Sequence, residues 1–226
     1  MPIPDDAFFE AWEADLPAAD KQAFFRDGVV DDQQWANARV KVLFVHDEPT
    51  LPAADGEDAP EGPFDLRETE RETGGTGSYG TPMARWASMI IDGLTAEQAQ
   101  GLKKKDLGEY AQQIAHLYLK KTGAEGSADA QEVVDWVMKH DEKTLEEIDK
   151  IDPQVIVVCG TQACTAWPIF LADDRTAKPV FRSQEFEWEG KSVLATLSPS
   201  APGTKTADKD ADAARFAESP EVAALR

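Results

Sequence analysis

Two runs of consecutive apolar residues limit the folds open to this chain more than any other feature. Residues 40–45 read VKVLFV and residues 154–160 read QVIVVCG. Runs of β-branched residues without polar alternation mark strands buried on both faces, the kind found in parallel sheets covered by helices. Between and around them lie helical patterns. Behind Pro82, which suits a first helical turn, Met83, Trp86, Ala87, Ile90 and Ile91 fall at helical spacing. Residues 128–151 place Val133, Val134, Trp136, Val137, Leu145, Ile148 and Ile151 on one long or two abutting helices, ended by Asp152-Pro153. Residues 114–119 (IAHLYL) read as a further strand, with a helix end as the alternative, and a helix starts after Gly160. Residues 180–197 alternate apolar and polar around Glu189-Gly190, as a hairpin ending at Ser198-Pro199-Ser200 does. The order of elements predicts an α/β fold with a mostly parallel sheet.

The flanks are less regular. Residues 7–36 set Phe8, Phe9, Trp12, Leu16, Phe24, Phe25 and Trp35 among acids and alanines, which predicts two short amphipathic helices broken near Pro17. Residues 50–80 form a long loop rich in Pro, Gly, Asp and Glu, a length that points to a loop covering a site. We expect one domain over residues 1–226, with a helical lead-in at 1–38 and a C-terminal tail at 203–226.

Charge and composition narrow the function. Lys and Arg total 23 against 43 Asp and Glu, a net charge of −20. Such a field opposes phosphate backbones unless basic residues gather on one face; the plain alternatives are solubility or a salty habitat. No apolar run reaches the roughly 18 residues of a membrane span, and the acidic start is unlike a signal peptide, so a soluble, cytoplasmic monomer without membrane partners is expected. Two cysteines are too few for a four-thiolate site, and no two of the three histidines share a helical face. Neither a metal nor a cofactor is expected. G-x-x-x-x-G-K-[ST] is missing, which removes the common phosphate-loop reading, and an unrelated nucleotide-binding protein is ranked last.

Ligands of parallel α/β sheets sit at the carboxyl ends of the strands. Three polar edges occupy that position: His46-Asp47-Glu48-Pro49-Thr50, Gly160-Thr161-Gln162 and Ser198-Pro199-Ser200. Pro49 fixes the turn and aims the Glu48 carboxylate from the strand end. A cluster of lysines (103–105, 120–121 and Lys205) forms either a basic rim or solvated partners for nearby acids; Arg67, Arg71 and Arg85 are candidates for the loop side.

The segments VLFVHDEPT (42–50), DPQVIVVCGTQA (152–163) and LATLSPS (194–200) are together similar, in order and spacing, to the three motifs of the uracil-DNA glycosylase superfamily. The resemblance covers most of residues 39–200 and implies a three-layer α/β/α sandwich on a mostly parallel four-stranded central sheet. By position, Glu48 stands for the family's catalytic Asp or Asn, which orients water or stabilises an oxocarbenium-like sugar cation. Ser198 stands where the family has a His or Asn against the leaving base. Asp47 takes the place of a Gln or Glu, Phe64 that of an aromatic stacking on an extruded base, and Tyr118 that of an Asn reading the base edge. Gly160, Thr161 and Ser200 complete the implied substrate site, where a helix start offers N–H groups to a phosphate. The chain departs from the pattern at His46, where the family has glycine, and at Ser198, whose hydroxyl polarises a carbonyl less. The resemblance implies a hydrolase that cleaves the N-glycosidic bond of a damaged or deaminated base in DNA. The alternative is a catalytically inactive, acidic descendant that binds a nucleotide or a basic, DNA-binding protein.

Overall fold

The apolar runs fold as central strands whose successive side chains enter opposite cores. In the computed structural model, which describes residues 3–49, 64–73, 80–123, 129–172, 183–196 and 205–226, the chain begins with helices α1 (Asp6–Ala14) and α2 (Ala18–Gln22). Strands β1 (Phe25–Arg26) and β2 (Gly28–Val29), helix α3 (Asp32–Asn37) and strand β3 (Val42–His46) follow. After β4 (Phe64–Asp65) come helices α4 (Leu66–Thr73), α5 (Gly80–Asp92), α6 (Ala96–Gln100) and α7 (Lys104–Ala111), then β5 (Ile114–Tyr118). Helices α8 (Ala130–Lys139) and α9 (Asp141–Ile151) lead to β6 (Val155–Cys159), and α10 (Thr161–Ala172) leads to β7 (Gln184–Trp188) and β8 (Lys191–Thr196). The chain closes with α11 (Thr206–Ala217) and α12 (Pro220–Ala223).

The main sheet has six strands in the order β2-β5-β3-β6-β8-β7. Strands β5, β3, β6 and β8 are parallel, and β2 and β7 pair antiparallel at the two edges. The sheet is thus wider than the expected four strands. At one edge the reason is local: Glu189 (φ 50°) and Gly190 (φ 75°) both take left-handed φ, the primed turn that forces β7 back antiparallel onto β8. At the other, Asp27 ties the lead-in to β5, its carboxylate Oδ2 accepting the Tyr118 N–H at 2.6 Å.

Alternation along the strands separates two cores. Leu43, Val45, Ile156 and Val158 pack with α8, α9 and α10, whereas Val42, Phe44, Val155 and Val157 pack with α5 and α11. The chain steps from β3 to β5 in one direction and from β5 through β6 to β8 in the other. With right-handed crossovers, that reversal carries the connecting helices from one face to the other.

Four expectations need correction. Pro17 does separate two helices, but Phe24 and Phe25 leave the helical pattern: Phe25 pairs with Phe64 and Gly28 with His116. Residues 66–73, expected within a loop, form α4. Residues 205–226 are no loose tail; Ala213, Phe216, Ala217 and Val222 are buried, and the Trp86 indole donates to Asp210 at 3.1 Å. On α9, Leu145 is 39% exposed while Glu147 is fully buried, the reverse of what hydropathy dictates. Among the described residues no helix is long and apolar enough to cross a membrane.

Candidate active site

Because the chain leaves β3 for β5 on one side and later returns to β6 on the other, the carboxyl ends of β3 and β6 flank the point where the winding reverses. Asp47 and Glu48 leave β3 there, and Gly160 leaves β6. The Asp47 carboxylate accepts the Glu48 N–H at 2.9 Å, and a Cβ built on Gly160 would stand 3.6 Å from Asp47 Oδ2. Gly160 has φ +101°, a conformation that side chains rarely adopt, so glycine is required by backbone shape before any ligand is considered. Its N–H bonds to Thr196 O at 3.0 Å, which brings the end of β8 to the same edge. Burial raises the pKa of Asp47, against the hydrogen bonds from its own and the Glu48 N–H.

Glu48 is the buried carboxylate of this edge, 5% exposed. Lys120 lies 2.6 Å from its Oε2 and 3.2 Å from Glu132 Oε2. Main-chain bonds fix the approach: Leu119 N–H to His46 O at 3.0 Å and Lys120 N–H to Asp47 O at 2.9 Å extend the β5–β3 ladder past the strands. Glu48 Oε1 is buried and, among the described residues, accepts no hydrogen bond. One oxygen of the carboxylate is held, and the other is uncommitted. Burial opposes charge on Lys120, but the hydrogen bond and charge of Glu48, with those of Glu132, outweigh it, and the Lys120 pKa is raised. Lys120 is therefore an ammonium at neutral pH, not an amine nucleophile.

Beside the carboxylates runs a stack of rings from the two strands. His46 lies 4.8 Å from Tyr118 and 5.3 Å from His116, each pair inclined by 29°. His46 Nε2 and His116 Nδ1 are 3.1 Å apart, so one ring donates and the other accepts. Burial lowers both pKa values, helped at His46 by the charge of His116; for His116 the value falls to about 4 despite the nearby Asp27 carboxylate. Both rings are neutral at pH 7. Helical spacing does not reveal this histidine pair, because parallel strands join residues 70 apart. Tyr118, expected at the base edge, stands on the outer side of this stack.

Several sequence candidates lie elsewhere. Ser198 and Ser200 fall outside the described residues, as does most of the 50–80 loop. The Phe64 ring packs 5.0 Å from that of Phe25, on a strand that pairs with β1 and not with the main sheet. Thr161 opens α10 next to Gly160 and is exposed. Lys121 is not part of a basic rim: it is fully buried, ion-paired to Asp27 and 2.8 Å from Glu147 Oε2. Arg67 is engaged by Asp65 and Asp6, and Arg85 faces Asp210 at 3.8 Å. Arg71 bonds to the Arg67 carbonyl at 3.1 Å. Lys105 pairs loosely with Glu109 at 3.9 Å, and Lys205 caps α11 from an exposed position. Cys159 and Cys164 are free, buried thiols. Among the described residues no three His, Cys, Asp or Glu side chains converge on a metal position.

The described edge thus offers an ion-paired carboxylate with one oxygen unpartnered among the described residues, a second, half-buried carboxylate and a ring stack, at the usual ligand position of a parallel sheet. No protein-family model matches the chain, and no curated protein matches its sequence.

Proposed function

We propose that this protein hydrolyses the N-glycosidic bond of a damaged or deaminated base in DNA, as a divergent member of the uracil-DNA glycosylase superfamily. The observation that carries the reading is Glu48: a carboxylate 5% exposed at the carboxyl end of a central parallel strand, with Oε1 accepting no hydrogen bond among the described residues. The four parallel strands between two helix-covered faces support the superfamily's three-layer α/β/α sandwich. In the reaction, the bond from C1′ to the base nitrogen breaks and its electron pair leaves with the base. Water oxygen bonds to C1′, its proton passes to Glu48 Oε1 and on to solvent, and the departing base takes a proton from solvent. As positive charge develops on the sugar, a fixed anion beside it lowers the barrier. By the resemblance, this reading assigns the base pocket to Tyr118 and Ser198 and its border to Asp47, Gly160, Thr161 and Ser200, of which Ser198 and Ser200 lie outside the described residues. Phe64 is a stacking group only if β4 and its neighbours rearrange around DNA. No cofactor or metal is required by this chemistry, and the setting is cytoplasmic base excision by a monomer.

One observation favours a second reading, the inactive acidic descendant. Lys120 and Lys121, candidates for the DNA-facing rim, are both taken by carboxylates, in a chain of net charge −20. Its partner would be a nucleotide or a basic, DNA-binding protein. Free-base release from single-stranded and mismatched oligonucleotides carrying uracil or other deaminated bases decides between them. Release that Glu48→Gln abolishes supports the hydrolase; no release from any substrate, with salt-sensitive capture of basic proteins, supports the descendant.

A further inference from the structure

We propose that Lys120 is the positioning residue of Glu48, holding one carboxylate oxygen so that the other faces the reacting sugar. This rests on the hydrolase reading. A glutamate side chain has three rotatable bonds, and a carboxylate that must meet a cation at one carbon loses rate if it samples several directions; misplacement by about 1 Å costs on the order of 10²-fold. Here both ends of the 2.6 Å contact are anchored by main chain, because Lys120 N–H bonds to Asp47 O, the residue before Glu48. The next residue, Lys121, is fully buried in its own ion cluster and keeps this peptide from sliding. The lysine and glutamate side chains are 13% and 3% exposed, so water screens the pair little.

An ammonium beside a carboxylate would cancel the field that a sugar cation needs, but Lys120 also meets Glu132, 63% exposed, at 3.2 Å. Two carboxylates and one ammonium leave the trio at −1. The arrangement fixes Glu48 in a desolvated place and still leaves a formal excess of one carboxylate over ammonium. Lys120 forms no bond to substrate and carries no proton in the reaction. Its charge serves geometry.

The test compares wild type, Lys120→Met, Lys120→Arg and Glu48→Gln in single-turnover base release at saturating oligonucleotide, with DNA affinity measured by fluorescence anisotropy. Lys120→Met is expected to slow release by about 10²-fold with affinity unchanged, and Lys120→Arg, which keeps the charge, to recover part of the rate. If Lys120→Met does not fold, Lys120→Gln serves in its place, with the same expected direction. Release by the neutral variants at the wild-type rate overturns the positioning role alone, as does loss of affinity without loss of the saturated rate, which would make Lys120 a phosphate contact. No release by wild type overturns the hydrolase reading and the positioning role together.

Discussion

Lys120 and Lys121 are neighbours in sequence, and each meets two carboxylates, but the two trios stand in different media. Lys120, Glu48 and Glu132 are 13%, 3% and 63% exposed, so their ion pairs run from a buried strand end out to solvent. Lys121, Asp27 and Glu147 are all fully buried. In the inner trio one cation faces two acids without water, and the surplus negative charge is removed by a proton: burial, then the charge of Asp27, pushes Glu147 well above the usual carboxylate range. Asp27 spends its other oxygen on the Tyr118 N–H. In the outer trio Glu132 is solvated and, among the described residues, Glu48 Oε1 accepts no hydrogen bond; both Glu147 oxygens of the inner trio likewise accept none, though Oε2 stands 2.8 Å from Lys121. The same three kinds of group thus form a fully buried cluster in one place and, in the other, a cluster that reaches solvent through Glu132.

The comparison breaks most visibly at the inner lysine. Lys121→Met leaves Asp27 buried without its cation, a change that typically costs about 3–5 kcal/mol. Urea unfolding should register a loss of that order, and Lys120→Met a smaller one, because Lys120 is 13% exposed and its second acid, Glu132, is 63% exposed, although buried Glu48 also loses its cation. Equal destabilisation by the two variants would erase the distinction between the two clusters.

The histidine pair provides the next test. His116 has a folded pKa of about 4, below its ordinary 6.5. Its neutral form is favoured in the fold, so its contribution is fully present above pH 6.5 and is lost as pH falls through about 4. His116→Asn, which cannot take up a second proton, should shorten the fall of stability over that interval, seen as a difference between the two stability–pH curves. Glu147 is expected to have the smallest effect and the opposite sign. Its folded pKa lies above the ordinary 4.5, so its contribution is full below pH 4.5 and declines as pH rises through the folded value. Glu147→Gln keeps a donor without the titration; at pH 7 it should be neutral or stabilising by about 1–2 kcal/mol. A loss of several kcal/mol would mean that Glu147 is ionised and needed as an anion.

The same contrast explains what could be read from sequence. The runs that became β3 and β6 were legible because burial on both faces leaves a continuous apolar signature, and the Glu189-Gly190 hairpin was legible from its turn. Strand β2 has only Gly28 and Val29, and its place depends on a carboxylate bond to the Tyr118 amide, for which no local pattern exists. Glu48 was found because proline punctuates the strand end. Lys121 reads from sequence as a rim group or a solvated partner of acids because charge normally means solvent, and its burial depends on Asp27 and Glu147, which no local window joins to it. Leu145 was misplaced by the same rule in reverse.

The central claim is that Glu48, held by Lys120, is a hydrolytic carboxylate. Its most direct test is the single-turnover rate of free-base release from a deaminated-base oligonucleotide by wild type and Glu48→Gln at equal folded concentration. The account predicts release by wild type and a rate lower by about 10²–10³-fold in the variant, with DNA affinity and melting temperature unchanged. Equal rates, or no release by either protein, would contradict it.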